Sequence, residues 1–245
     1  MIFWNDRQTA DIGWNIAVDE ALLNACEQGL IAQSPVVRLW RQRSWAVVMG
    51  ASGKLAEEVY LQKCEQLAVP VARRSSGGGT VLLGPGTFCL SMISPLGRFK
   101  PEERDVRTLQ VKVLQDLASL FHDLVPGLEV IASGDWAIMG RKCAGSAQRR
   151  QKTHVMVHAS VLNQTDLGMI SRLLPPPPRM PDYRAGRNHD EFLTNLGLAE
   201  ADVVSRLERL SSQSINCELL HKAISPLADE LANERFRLWE WTSRF

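Results

Sequence analysis

A single domain in which helices and strands are interspersed is what the sequence predicts. Three observations predict it: apolar residues at helical spacing over 14–28 and 101–124, strict alternation over 153–161, and Gly-Pro-Gly punctuation near residue 85. A chain of 245 residues can bury one large core, with room for a modest appendage.

Near the amino end, Ile16, Ala17, Ala21, Leu22, Leu23 and Ala25 recur at helical spacing, and Gly29 stands where that helix would stop. Residues 36–40 and 46–49 are short apolar runs separated by Arg41-Gln42-Arg43-Ser44, which predicts two strands and a turn. A helix is expected over 55–67, with Glu57 and Glu58 in its first turns, where the helix dipole favours anions. Val69-Pro70-Val71-Ala72 leads as an extended segment into Arg73-Arg74-Ser75-Ser76-Gly77-Gly78-Gly79-Thr80. Gly84-Pro85-Gly86 sits between runs 80–83 and 88–93, the signature of a turn joining two strands into a hairpin.

Pro101 opens a helical pattern reaching about residue 124, with Leu109, Val113, Leu114, Leu117 and Leu120 on its apolar face. Runs 136–139 and 142–144 bracket Gly140-Arg141 and predict a second hairpin. In the following strand Val155, Val157, Ala159 and Val161 share one face, and His154, Met156, His158 and Ser160 the other. A short helix over 166–174 must end at Pro175-Pro176-Pro177-Pro178, after which a loop carries Arg179, Arg184 and Arg187. Helical patterns resume near 190–196, 201–210 and 218–231. The aromatic segment with Phe236, Trp239, Trp241 and Phe245 is expected to pack on the body of the protein.

The 28 Lys and Arg nearly balance the 27 Asp and Glu, so nothing global argues for nucleic acid or an anionic membrane as partner. No apolar run approaches the roughly 18 residues that span a bilayer, and the first residues lack the pattern of an export signal. Five scattered cysteines show neither a Cys-x-x-Cys pair nor a zinc spacing. A cytoplasmic protein with reduced thiols is the expectation.

Basic charge is instead local. From Arg141 to Lys152 there are five cations and no acidic residue. Arg73 and Arg74 adjoin three glycines, whose free dihedrals let main chain approach an anion closely. Neighbouring residues of an extended segment point to opposite faces, so one of the two arginines is expected to reach a ligand, and Arg74 is assigned to phosphate. The glycines lie at a strand entrance, whereas dinucleotide and Walker-type phosphate loops open a helix with other spacings.

Lys142 could neutralise a carboxylate attacking phosphorus and then polarise the acyl carbonyl. Its plain alternative is a solvated turn lysine. Cys143 falls on the opposite face by alternation and reads as a small core residue, as does Cys89. Asp135 could orient Lys142 or a metal-bound phosphate, or cap a turn. His158 could line the pocket or be an ordinary polar-face residue.

The combination of Arg73-Arg74-x-Ser76-Gly77-Gly78-Gly79-Thr80 with Gly140-x-Lys142-x-x-Gly145-Ser146-Ala147-Gln148 resembles the catalytic domain of lipoate-protein ligases and their relatives, the octanoyl transferases and biotin ligases. Asn15-Ile16-Ala17-Val18-Asp19-Glu20-Ala21-Leu22 is similar to that family's first helix, Leu39-Trp40-Arg41 and Val47-Val48-Met49-Gly50 to its opening strands, and Ala132-Ser133-Gly134-Asp135 to its pre-hairpin segment. The resemblance runs from about residue 15 to about residue 195.

It implies an α+β fold with a mixed β-sheet backed by helices: one catalytic domain over 1–245, its core about 1–198, with a helical extension over about 199–245. It implies ATP-dependent activation of lipoate to lipoyl-AMP and transfer to a lysine of a carrier domain, either a 2-oxoacid dehydrogenase E2 domain or a glycine-cleavage-type H protein. By position, Arg74, Ser76, Gly77, Gly78, Gly79 and Thr80 would contact ligand and adenylate, and Lys142 would hold the acyl carbonyl and phosphate. Asp135, Gly145, Ser146 and Ala147 would line the nucleotide end, and His158 the acyl tunnel, whose depth Met156 and Met139 could tune. The arginine loop around Tyr183 corresponds to a segment that folds over the adenylate, and Mg²⁺ would accompany ATP.

Octanoyl transferases of this superfamily use a cysteine acyl-enzyme, in one branch from a loop just before the lysine hairpin. Here Val130-Ile131-Ala132-Ser133-Gly134-Asp135 contains none, which favours ligation over octanoyl transfer from an acyl carrier protein. Many ligases of the family carry a further carboxyl-terminal domain. The resemblance therefore leaves room for an accessory subunit that completes the activity, or for a non-catalytic lipoate-binding role.

Overall fold

The computed structural model describes all residues except 9, 32–34, 132–133 and 212–216. Ala132 and Ser133 of the pre-hairpin segment thus lie outside the described residues.

The apolar spacing at the amino end becomes helix α1 (Ile12–Glu27), which starts two residues earlier than the pattern because Asp11 caps it, accepting from the Trp14 amide at 3.0 Å. Its residues are buried on nearly every side, as a helix enclosed between layers requires.

Two sheets form. In the larger, strands run in the order β1 (Ile2–Asn5), β2 (Val36–Trp40), β6 (Thr87–Pro95), β10 (His154–Leu162), β9 (Arg141–Arg150), β8 (Asp135–Ile138) and β7 (Leu128–Ile131). Among the described residues of this sheet, β1 and β2 pair in parallel and every other pair is antiparallel. The smaller sheet has β3 (Ala46–Met49) between β4 (Val71–Arg73), parallel to it, and β5 (Val81–Leu83), antiparallel. Both sheets are backed by helices, an α+β arrangement with mixed pairing.

The small sheet departs from local expectation. Strands β2 and β3 part company into different sheets, and Gly84-Pro85-Gly86 carries the chain from β5 to β6 across sheets instead of closing a hairpin. Gly86 (φ +81°) approaches the Gln164 carbonyl so closely that a Cβ would lie 2.1 Å from it. The glycine there serves a crossing of layers, which turn chemistry alone does not distinguish from a hairpin. Likewise the helix expected over 55–67 breaks into α2 (Leu55–Glu58) and α3 (Leu61–Gln66), because the Tyr60 amide leaves the helical ladder for the Leu173 carbonyl. The pattern from Pro101 resolves into a single 3₁₀ turn, α4 (Val106–Ala118) capped by Asp105, and a second 3₁₀ turn.

One face of the large sheet carries Val37, Leu39, Val155, Val157, Ala159 and Val161 against Leu109, Val113, Leu114 and Leu117 of α4. The valine face of β10 is therefore core, as alternation requires. On the other face α1 covers β1, β2 and β6 and is itself covered by α8 (Cys217–Leu231). Toward β9 and β8 that face is left to a cavity, walled by the small sheet and by the chain after α5 (Gly168–Leu173), including α6 (His189–Phe192). Helix α7 (Glu200–Glu208) packs against β1 and the 3₁₀ turn that follows α4, and α9 (Trp239–Thr242) lies against β4. Phe236 is buried and Trp241 partly so, while Trp239 and Phe245 remain exposed. No helix among the described residues is long and apolar enough to cross a membrane.

Candidate functional site

The lysine hairpin turns through Met139 (φ +51°) and Gly140 (φ +71°), the two left-handed residues that match the twist of paired strands. Met139 is 89 % exposed at this tip and is not among the residues that line the cavity, whereas Met156 is. Beyond the turn, Asp135 pairs with Gly145 and Trp136 with Ala144, but Ala137 pairs with Lys142. Cys143 is thus an extra residue, a bulge.

The bulge is what assembles the chemistry. Lys142 and Gly145, three apart, would point to opposite faces of a regular strand. Here they share one, and the lysine stem lies over the glycine: a Cβ on Gly145 would stand 2.9 Å from Nζ. Across the ladder the Asp135 carboxylate meets the Lys142 ammonium at 2.8 Å. Its other oxygen accepts from the Tyr183 hydroxyl at 2.8 Å, and burial, with the Asp135 charge, pushes that phenol's pKa up. Cys143 is fully buried and burial pushes its thiol up to about 12, so it remains a protonated core residue.

Arg74, expected to reach phosphate, lines the cavity but spends most of its donors on its own loop. Its Nη1 donates to the Val48 carbonyl at 3.1 Å, its Nη2 to the Gly77 and Gly79 carbonyls at 2.7 and 2.9 Å, and its Nε to Ser76 Oγ at 3.1 Å. Burial lowers its pKa to about 10, still cationic at neutral pH. Arg74 thus wraps the glycine loop (75–80) while its charge stays at the cavity wall. Alternation placed the side chain correctly, but nothing in the sequence showed that the loop would curl back around it. Gly78 (φ +88°) supplies the left-handed residue of that curl.

Ser76 Oγ lies 2.7 Å from His158 Nε2 on β10. Burial, then the Arg74 charge, lowers the His158 pKa to about 3, so the imidazole is neutral at working pH. Thr80 donates to Glu58 of α2 at 2.6 Å. Ser146 turns the other way: its hydroxyl donates to the Gly134 carbonyl and accepts from Gln110 of α4 at 2.7 Å, leaving its backbone to the cavity side.

Strand register sets the cavity's length. Asp135, Gly145, Ser160, Cys89 and Trp40 are consecutive Cα partners across five strands. Four inter-strand steps make that row roughly 19 Å long. Its far end is apolar, with Ile16, Trp40, Val48, Leu83, Cys89 and Met156; its near end holds Lys142, Arg74, His158, Arg179, Arg184 and His189. An elongated ligand with an apolar tail and an anionic head fits such a trough.

Of the residues expected at the site, Arg74, Ser76, Gly79, Thr80, Lys142, Gly145, Ser146, Ala147 and His158 line this one cavity. Gly77 and Gly78 form the exposed outer turn of the loop, and Asp135 stands behind Lys142. Sequence reasoning missed Glu58, read only as a helix-end charge, and Asp19, which lines the apolar end while bonded to Arg38. No sequence signal marks either. The arginine loop does close over the hairpin: Arg187 donates to the Gly140 carbonyl at 3.0 Å, and Arg141 to that of Leu193 at 2.5 Å. Among the described residues no three His, Cys, Asp or Glu converge on a metal site. The two carboxylates of the cavity wall are engaged, Glu58 by the Lys54 amide and the Thr80 hydroxyl and Asp19 by Arg38 and Ser91, so these residues alone do not make the oxygen-rich site that magnesium requires.

The His158 shift makes a testable statement. A histidine whose folded pKa lies below its unfolded value gives stability that is complete above about pH 6.5 and is lost as pH falls toward 3. Wild-type stability should therefore fall by about 1.4 kcal/mol per pH unit on this account below pH 6.5. Urea titrations at pH 7.5, 6 and 5 should show that slope in the wild type and its loss in His158→Gln. Equal slopes in both would refute the assignment.

Comparison with known proteins agrees with this geometry. Residues 11–205 match the family model described as the lipoyl protein ligase A/B catalytic domain. The probable lipoate-protein ligase A of Mycoplasma pneumoniae is 25 % identical over 241 residues, covering 93 % of this chain and 67 % of its own length. The bi-partite lipoate protein ligase of Thermoplasma acidophilum, studied with its E2 lipoyl domain, superposes with a TM-score of 0.77 at 22 % identity, covering 99 % of this chain and 95 % of that one. A lipoate-protein ligase A bound with ATP gives 0.76 at 22 % identity, covering 99 % and 98 %. At such identities the structural likenesses establish the fold.

Proposed function

The chain belongs to the lipoyl protein ligase A/B catalytic-domain family, and on that footing we propose that it is an ATP-dependent lipoate-protein ligase that makes lipoyl-AMP and passes the lipoyl group to a lysine of a carrier domain. The observation that carries the reading is one trough with an apolar end beneath α1 and a cationic end between Lys142 and the glycine loop.

A carboxylate is a poor acyl donor, so it first needs a leaving group. A lipoate oxygen bonds to the α-phosphorus of ATP, and pyrophosphate departs with the electron pair of the bond that breaks. Magnesium, when bound with the triphosphate, supplies charge neutralisation for that departure. Lys142, held by Asp135, offers a fixed ammonium to the negative oxygens converging at the carboxyl. The carrier lysine's amine then bonds to the acyl carbon, AMP leaves with its electron pair, and the amine releases a proton. No protein nucleophile is needed. Burial raises the thiols of Cys26, Cys64, Cys89 and Cys143, which supports ligation over a thioester route.

The carrier class, a 2-oxoacid dehydrogenase E2 domain or a glycine-cleavage-type H protein, follows from the family resemblance, and the Thermoplasma relative's pairing with an E2 lipoyl domain supports it. That relative is bi-partite, which supports a second reading in which a separate polypeptide completes the activity of this chain.

The test is incubation with ATP, Mg²⁺ and lipoate, with and without a lipoyl domain, reading pyrophosphate release and the mass of the carrier. Pyrophosphate release that requires lipoate, and a carrier gaining a lipoyl mass only with ATP, are expected. Consumption of octanoyl-acyl carrier protein without ATP, abolished by Cys143→Ala, would reverse the reading. Lipoate binding with no turnover would leave a binding role.

A further inference from the structure

Arg73, next to the loop-wrapping Arg74, is fully buried and has no part in the chemistry described so far. Its three guanidinium nitrogens donate to main-chain carbonyls of two remote segments. Nη1 reaches Gly50 at 3.0 Å, Ala51 at 3.3 Å and Gly53 at 2.7 Å. Nε and Nη2 reach Thr242 at 3.0 and 2.7 Å, and Nε also Trp241 at 3.2 Å. The Trp241 indole returns a bond to the Arg73 carbonyl at 2.8 Å.

Both segments lead somewhere. The turn after β3 presses on the glycine loop: the Ala51 amide donates to the Ser76 carbonyl at 2.8 Å, and a Cβ on Gly50 would fall 2.0 Å from the Gly78 oxygen. In the other direction, the ring of Trp241 packs edge-on to the core residue Phe236 and under Arg235, which pairs with Glu20 of α1 at 2.6 Å. Arg244 stacks on Trp241 at 3.5 Å and donates to the Ala51 carbonyl at 2.8 Å. A strap thus runs from the buried base of α1, through Trp241 and Arg73, to the turn that backs the glycine loop. Its 241–244 segment lies beyond residue 205, where the family match ends.

We propose that Arg73 is a positioning residue, through which the 241–244 strap holds the glycine loop in the shape that receives the nucleotide. Three near-planar donors satisfy carbonyls from two segments at once, which a lysine's single ammonium cannot do. Arg244 and the Leu55 amide, which donates to the Phe245 carbonyl at 3.2 Å, tie the same two segments at their edge, but Arg73 bonds Gly50 and Gly53 of the backing turn from the buried side. When the strap is released, Gly50 loses its seat and the loop samples other shapes, so part of the nucleotide's binding energy is spent on ordering it. The consequence for ATP rests on the ligase reading, whereas the mechanical link does not.

The test uses the full chain and two variants. Arg73→Lys keeps the charge but not the fork, and Trp241→Phe keeps the ring under Arg244 but deletes the indole N–H. Amide hydrogen exchange over 75–80 should quicken about tenfold in Arg73→Lys and less in Trp241→Phe, with α4 and β10 unchanged. In pyrophosphate release, KM for ATP should rise about tenfold while KM for lipoate stays within about twofold and kcat within about threefold. Unchanged exchange over 75–80 would overturn the proposal, as would faster exchange spread evenly over the chain. If Arg73→Lys fails to fold, Trp241→Phe decides on the same readouts. A wild type that releases no pyrophosphate would count against the ligase reading alone, and the exchange measurement would still decide the strap.

Discussion

Lys142→Ala should lower kcat for pyrophosphate release by roughly 10²–10³, the usual cost of removing one charged donor from a preorganised site. The expectation follows from how the ammonium is held. The bulge at Cys143 turns it into the cavity, Gly145 leaves space for its stem, and Asp135 fixes it at 2.8 Å. A group fixed before the reaction needs no reorganisation as charge develops. Lys142→Arg should rescue little, since the longer planar fork has no room over Gly145 and cannot place one point charge in the same spot. Folding should weaken only modestly: the buried Asp135 loses its cation, but the site opens on the cavity and the Tyr183 hydroxyl remains as a donor. The measurements are kcat and KM for ATP and for lipoate beside a melting curve. A kcat within a few-fold of wild type would show that Lys142 is a solvated turn lysine after all.

What was legible in the sequence was whatever depends on local pattern. The valine face of β10, the helix after Asp11 and the Gly140 hairpin all follow from periods of two and 3.6 and from turn chemistry, and the family motifs fall on one cavity. What was hidden depends on contacts between remote segments. Gly84-Pro85-Gly86 carries a hairpin's signature, yet the strands it joins find partners in two sheets. A one-residue bulge leaves no mark in composition, although without it Lys142 and Gly145 would face apart. The two arginines show the limit most plainly. Alternation separated their directions, but the acceptors of both are carbonyls, which every residue has and no sequence distinguishes.

The charge network beneath the apolar end was equally silent, and it yields the largest stability effect. Arg38 is fully buried on β2 between the rings of Trp4 and Trp40. It pairs with Asp6 at 2.7 Å and Asp19 at 2.8 Å and donates to the Asn15 carbonyl at 2.8 Å, while Ser91 donates to Asp19 at 2.7 Å. Arg38→Met leaves two carboxylates in a low-dielectric layer without their cation, which should cost about 3–5 kcal/mol. The pH dependence fixes the cause. Burial already raises the Asp19 pKa, with Arg38 as the chief opposing influence. A carboxyl with a raised folded pKa contributes stability that is present below its unfolded pKa and lost as pH rises. Removing Arg38 raises Asp19 further, so the deficit should be larger at pH 7.5 than at pH 5. Neutralising the acids, as in Arg38→Met with Asp6→Asn and Asp19→Asn, should recover part of it, because an unpaired amide is less costly to bury than an unpaired carboxylate. Urea unfolding of the three proteins at both pH values measures these differences. A deficit under about 1 kcal/mol, or one that does not change with pH, would mean that the layer admits enough water to solvate the acids without Arg38.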